Sequence, residues 1–256
     1  MPNWSPDLYL KFNAERTQPA ADLVARISLD NPRRIIDLGC GPGNSTSLPR
    51  DRWPDAEVAG LDNSVEMLEK AARDWPEGPW VEGDIGSWRA KEAYDLVFTN
   101  AALQWVPDHE TVLPQLLDQV RDGGALAVQM PAQFDSTIHR LIAGIAMREA
   151  WHDATETALR SVYVGNPSFY YDLLMPQSRR LELWLTEYIH IMPGARGILD
   201  WVRATALRNF LDALKNDEQR MRFEAEVLEQ ITNDYPPQGD GRVLFPFRRI
   251  FFIAYR

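Results

Sequence analysis

The residues best suited to chemistry form one short run, Ile35-Ile36-Asp37-Leu38-Gly39-Cys40-Gly41-Pro42-Gly43-Asn44. An apolar strand that ends in glycines presents bare backbone N–H groups at the mouth of a sheet. Gly39, Gly41 and Gly43 supply conformations and close approaches that a Cβ would block. Such a loop suits a nucleotide-like ligand, and two ligand classes compete for it. A dinucleotide needs the spacing G-x-G-x-x-G, which would put a third glycine at position 44. Asn44 stands there, and the glycines follow G-x-G-x-G. Asp37, two residues before the first glycine, would repel a pyrophosphate but can pair with a cationic amino-acid head group. The loop therefore favours a ligand with an ammonium and a sulfonium over NAD. A βα turn with glycines for geometry alone is the plain alternative.

Further acidic and amide residues follow at strand ends. Asp62 can accept hydrogen bonds from ribose hydroxyls, or can cap the turn before Ser64. Asp84 can accept from an adenine amino group with Ile85 against the ring, or can sit in a surface turn. Asn100 ends a strand where a methyl donor would lie. Gln104 and Trp105 follow, and core packing competes with ligand contact for Trp105.

The elements that must carry these residues alternate. Strands are predicted at 34–38, 57–62, 80–84, 94–100 and 125–130, with helical segments between them. A helix is predicted over 19–27, with Ala20, Leu23, Val24 and Ile27 on one side, and another from Val65. Strands separated by helices imply βαβ units and a parallel sheet. After Pro131 the rhythm breaks. Residues 134–178 read as helices, 181–192 as a strand, 197–233 as two helices, and 250–255 as a buried closing strand. The expected class is α/β: a doubly wound, mostly parallel seven-stranded sheet with a helical insertion forming a lid over the substrate. Residues 1–130 would form the cofactor core with an N-terminal arm. Residues 131–256 would add the insertion and the last two strands to the same domain.

Composition narrows the function. The 256 residues carry a net charge of −10, nearly all of it in the first 130, and neither half has a basic stripe. That argues against sequence-independent nucleic-acid binding. The single cysteine, Cys40, permits no internal disulfide and no cysteine-based metal centre. No His lies near it in sequence, so it reads as a small residue in a tight turn and not as a nucleophile. No metal ligand set stands out. The first ten residues do not form a signal peptide, and no apolar run reaches membrane-spanning length. The expectation is a cytoplasmic protein, monomeric, without membrane or nucleic-acid partners.

The run D-x-G-x-G-x-G, together with Asp62, Asp84 and Asn100-Ala101-Ala102-Leu103-Gln104-Trp105, resembles the class I methyltransferases that use S-adenosylmethionine. The resemblance implies that Asn63, Met67 and Ala101 join Asp37, Gly39, Gly41, Gly43, Asn44, Asp62, Asp84, Ile85, Asn100 and Trp105 around the cofactor. A narrower likeness spans almost the whole chain and is to the bacterial trans-aconitate 2-methyltransferase family. It is carried by Trp4-Ser5-Pro6-Asp7-Leu8-Tyr9-Leu10, Ala101 to His109, Val128-Gln129-Met130-Pro131, Tyr170-Tyr171-Asp172, Asp200-Trp201-Val202 and Leu207-Arg208. This likeness implies a last strand running antiparallel and methyl-ester formation on a small polycarboxylate. Methylation of another metabolite, nicotinamide-dependent redox chemistry and cofactor binding without turnover are the competing readings.

A carboxylate is already ionised near neutral pH, so no general base and no catalytic side chain are expected. The anion needs Arg, His or Tyr donors. The candidates are Arg208, His190, Tyr170, Tyr171 and Trp201. Arg208 reads as a surface side chain or an inward carboxylate receiver, and His190 as a structural residue or a ligand. Tyr170 and Tyr171 cannot both face the same way on a helix, so at least one belongs to the core, and Trp201 reads as packing before contact. An arm carrying Trp4, Tyr9 and Arg16 would fold over the cofactor and exclude water.

Overall fold

The computed structural model describes residues 13–132, 136–160, 163–203 and 205–256. The expected arm with Trp4 and Tyr9, and the side chain of Arg16, lie outside the described residues. The chain divides into two compact units. The larger holds Arg16–Pro131, Tyr163–Thr186 and Arg249–Arg256, and the smaller includes Ala132–Val162 and Glu187–Arg248.

Among the described residues the strands β1 (Arg34–Leu38), β2 (Glu57–Asp62), β3 (Trp80–Glu82), β4 (Tyr94–Asn100), β5 (Val120–Pro131), β6 (Arg180–Met192) and β7 (Val243–Tyr255) form one sheet, in the order β3-β2-β1-β4-β5-β7-β6. The pairs β1–β2, β1–β4, β2–β3 and β4–β5 are parallel, and β7 runs antiparallel to β5. The strand order reverses direction between β1 and β4, where an open α/β sheet leaves a crevice at its carboxyl edge. The expected doubly wound sheet with an antiparallel last strand is therefore the observed one.

Why the central strands form is plain from their residues. Ile35, Ile36 and Leu38 of β1 and Leu96 to Phe98 of β4 are buried, as parallel strands covered on both faces must be. Helices α1 (Asn13–Arg26), α2 (Ser47–Arg52), α3 (Val65–Asp74), α4 (His109–Asp118) and α7 (Pro167–Leu174) accompany these strands. On one face Arg26 of α1 pairs with Glu182 at 3.1 Å and lies over Trp184, which stacks on Phe251. On the other, Tyr170 of α7 stacks on Phe252. Successive residues of β7 thus mark opposite faces. Ser64 caps α3 by accepting from the Met67 N–H at 3.4 Å, as its position before Val65 predicts.

The smaller unit contains α5 (Thr137–Ala146), α6 (His152–Leu159), α8 (Ala195–Arg203), α9 (Arg208–Ala213) and α10 (Asp217–Asp234). Its core joins Ile138, Ile142, Trp151, Trp201, Phe223, Val227, Phe245 and Phe247. Five elements differ from expectation. α1 begins at Asn13, six residues before the expected Pro19, and β3 ends at Glu82, so Asp84 lies beyond the strand and not at its end. The segment 197–233 divides into three helices, because Asn216 caps a new one by accepting from the Gln219 N–H. β5 begins at Val120, five residues early, with Gly123 at φ +82° inside it. β7 begins at Val243. There Val243, Phe245 and Phe247 are buried while Leu244 is exposed, and Pro246 and the Arg248-Arg249 pair hide that alternation in the sequence.

Candidate cofactor and acceptor site

The loop after β1 is bound to the end of β2. The Gly39 and Cys40 N–H groups donate to the Leu61 carbonyl at 2.7 and 3.0 Å, and the Gly41 N–H donates to Asp62 Oδ2 at 2.8 Å. Gly39 adopts φ +72°, and a Cβ there would sit 2.2 Å from the Cβ of Ala102. Gly41 adopts φ +53° with nothing within 4 Å of where its Cβ would be. The first glycine thus lets two loops touch, and the second borders open space.

Asp37 sits beneath this loop with no exposed surface. Its Oδ2 accepts hydrogen bonds from the Ser45 and Thr46 hydroxyls, both at 2.7 Å. Its Oδ1 is buried with no hydrogen-bond partner among the described residues. Burial pushes the Asp37 carboxyl up from 3.8 to about 6, against the lowering effect of the two hydroxyls, and Asp62 adds a further upward push. A buried oxygen with an unused lone pair and an elevated pKa calls for a cation. Asp62 orders the turn, its Oδ1 accepting from the Ser64 N–H at 2.9 Å. Asn63 is exposed and Met67 half-buried beside it. Asp84 is exposed and accepts from the Gly86 and Ser87 N–H groups at 2.9 and 3.3 Å, forming an Asx turn next to buried Ile85. Cys40 is buried, and burial raises its thiol pKa well above the ordinary range.

After β4, Ala101 adopts φ +53°, a conformation costly for a side-chain-bearing residue. Its N–H donates to the Gln129 carbonyl at 2.9 Å, and its carbonyl accepts from Gln104 Nε2 at 2.6 Å. Asn100 Oδ1, Gln104 Oε1 and both amide atoms of Gln129 are buried without partners among the described residues. The sequence reading missed Gln129; the signal was one polar residue within the apolar run Ala125 to Met130. Trp105 is 42% exposed in a 3₁₀ turn, so core packing does not account for it.

Of the expected anion donors, Tyr170 has its hydroxyl already engaged. It has no exposed surface; its oxygen accepts from the Gly165 N–H and lies 3.0 Å from His109 Nδ1. His109 Nε2 donates to the Leu103 carbonyl, so Nδ1 accepts from the tyrosine, and burial lowers the imidazole pKa and keeps it neutral. That corrects the expectation of Tyr170 as an anion donor: its hydroxyl serves the packing of α7 on α4. Its neighbour Tyr171 is 54% exposed. His190, Trp201 and Arg208 belong to the smaller unit. His190 is buried with its ring 4.6 Å from that of Trp201, which packs against Phe245 and Phe247. Arg208 opens α9, half-exposed, 3.7 Å from Asp212 in an i,i+4 pair.

A glycine loop at the switch point of a sheet ordered β3-β2-β1-β4-β5-β7-β6, with β7 reversed, defines a class I methyltransferase. A family profile described as a methyltransferase domain matches residues 12–213. A trans-aconitate 2-methyltransferase of Azoarcus is 46% identical over the whole of both chains, and one of Rhodopseudomonas palustris is 46% identical over 99% of each. The chain belongs to the trans-aconitate 2-methyltransferase family within these methyltransferases. The fold is shared with Haemonchus contortus phosphoethanolamine N-methyltransferase 2, solved in complex with S-adenosyl-L-methionine, at a TM-score of 0.59 and 14% identity over 93% of this chain and 52% of that one. Among the described residues no group of His, Cys, Asp and Glu could hold a metal ion, and no helix is long and apolar enough to cross a membrane.

Proposed function

We propose that this protein transfers a methyl group from S-adenosylmethionine to a carboxylate oxygen of trans-aconitate, giving a methyl ester. The observation that carries this reading is the 46% identity over full length to proteins bearing that activity in their names. The donor set fits the cofactor: Asp37 Oδ1 is a buried acceptor without a partner among the described residues, and Gly41 borders open space.

S-adenosylmethionine, when bound, supplies an electrophilic methyl on a sulfonium. Asp37 would pair with its ammonium, and Gly39, Gly41, Gly43 and Asn44 would hold it along the loop. Asp62, Asn63 and Met67 would receive the ribose, Asp84 and Ile85 the adenine, and Asn100, Ala101 and Trp105 would border the methyl group. The acceptor carboxylate is ionised before it binds, so no residue has to remove a proton. The chain's task is alignment, which can contribute up to about 7–11 kcal/mol when the reacting atoms are held in line. Tyr171, exposed and in the unit that carries the glycine loop, stands as a donor to the anion, whereas His190, Trp201 and Arg208 belong to the smaller unit. In this reading the enzyme is monomeric and cytoplasmic.

Incubation with methyl-labelled S-adenosylmethionine and trans-aconitate tests it. The label should appear in the acid and be released by mild alkali, as an ester requires. Label entering another small acid while trans-aconitate stays unlabelled would remove the substrate, and no labelled acid at all would remove the reaction.

A further inference from the structure

Gln129 has no exposed surface, and neither atom of its amide has a partner among the described residues. A buried unpaired amide costs stability and calls for a partner from outside the chain, a water, an ion or a ligand. Its register says which face it occupies. Gln129 pairs with Asn100 on β4 and with Phe251 on β7, so the three side chains share one face of the sheet. Asp37 is on that face too, through Phe98, its partner on β4 and two residues before Asn100. Arg249 pairs with Pro131 and precedes Phe251 by two residues, which puts it on the same face beside Gln129. The two backbone positions are diagonal neighbours, about 7–8 Å apart, within reach of two long side chains. Arg249 is only 5% exposed. Along one edge, then, the side chains run from the carboxylate of Asp37 through the amides of Asn100 and Gln129 to the guanidinium of Arg249. A cationic ligand belongs at the first end and an anionic one at the last.

We propose that Gln129 and Arg249 form the acceptor's anion subsite, holding a carboxylate of the polycarboxylate other than the one that is methylated. Two amide N–H donors and a planar guanidinium fork suit a carboxylate. The inference rests on the methyl-transfer reading for its choice of anion. It also replaces the half-exposed Arg208 as the main anion receiver: Arg208 is paired with Asp212 on a helix surface, whereas Arg249 is buried on the face that carries Asn100.

The test uses the enzyme saturated with S-adenosylhomocysteine, titrated by calorimetry with tricarballylate, a saturated tricarboxylate, alongside steady-state kinetics with trans-aconitate. Gln129→Met keeps the volume and removes the amide; Arg249→Lys keeps the charge and removes the fork. Each should weaken tricarballylate binding and raise KM by about tenfold or more, with kcat and S-adenosylhomocysteine affinity changed by less than about threefold. The melting temperature of Gln129→Met should equal or exceed that of the wild type, since it loses only an unpaired group. Unchanged KM and tricarballylate affinity in Gln129→Met would overturn the subsite, as would a matching loss of S-adenosylhomocysteine affinity. A wild type that binds tricarballylate through these residues but makes no ester would refute the reaction and leave the subsite standing. A wild type that makes the ester, with Gln129→Met indistinguishable from it, would refute the subsite alone.

Discussion

Replacing Asp37 by Asn should make the empty protein more stable and the cofactor site worse. The carboxyl is fully buried, and its pKa stands at about 6 against an ordinary 3.8. Between about pH 4 and 6 the folded protein keeps a proton on Asp37 that the unfolded chain has already released. Stability therefore falls as pH rises through that window, and the loss is complete above about pH 6. At 1.36 kcal/mol for each tenfold, the ionised group costs about 3 kcal/mol at pH 8. Asparagine keeps the shape, can still accept from Ser45 and Thr46, and carries no charge. For a chain of this size the melting temperature at pH 8 should rise by up to roughly 6–12 °C. The gain should shrink toward zero near pH 4, where Asp37 is neutral as well. Calorimetric binding of S-adenosylhomocysteine to the same variant should be weaker by about tenfold or more, because the partner of the ammonium is gone. Thermal scans from pH 4 to 8 and one titration decide it. A variant that melts lower at pH 8, or that binds S-adenosylhomocysteine as well as the wild type, would refute the reasoning.

In the wild type, S-adenosylhomocysteine affinity should fall as pH drops below about 6, by at most about tenfold per pH unit, because Asp37 must ionise to meet the ammonium; a flat calorimetric profile from pH 5 to 7 would contradict this. Gly39→Ala should abolish cofactor binding while leaving the protein folded by circular dichroism, since the new Cβ meets Ala102 and the backbone is at φ +72°. Tyr170→Phe should lower stability by about 1–3 kcal/mol in urea unfolding, because His109 Nδ1 and the Gly165 N–H lose their buried partner. Arg208→Ala should change stability by less than about 0.5 kcal/mol, as expected for a half-exposed ion pair.

The fold of the first half of the molecule was readable because its signals are local. Strand, glycine loop and strand-end Asp occur in sequence order, and the bounds of β1, β2 and β4 follow from short apolar runs ended by Gly39, Asp62 and Asn100. The second half was harder for two physical reasons. Its strands mix residues of opposite environment: β7 interleaves buried Phe245 and Phe247 with Pro246 and Arg248. The polar groups of the proposed anion subsite, moreover, come together only by register between distant segments. Gln129 and Arg249 are 120 positions apart in sequence, and only the antiparallel pairing of β5 with β7 makes them neighbours. Residue type alone selects Arg208 and Tyr170 as readily as Arg249; what differs is that Arg208 is half-exposed and Arg249 buried, and that the Tyr170 hydroxyl is engaged in packing.

The most direct measurement is kcat/KM of the wild-type enzyme across a panel of small mono-, di- and tricarboxylates, with product mass and methyl position determined for each. The highest value should belong to trans-aconitate, with one methyl added and that methyl on a carboxylate oxygen. A higher value for an acceptor lacking a second carboxylate, or a methyl on nitrogen or carbon, would contradict the account.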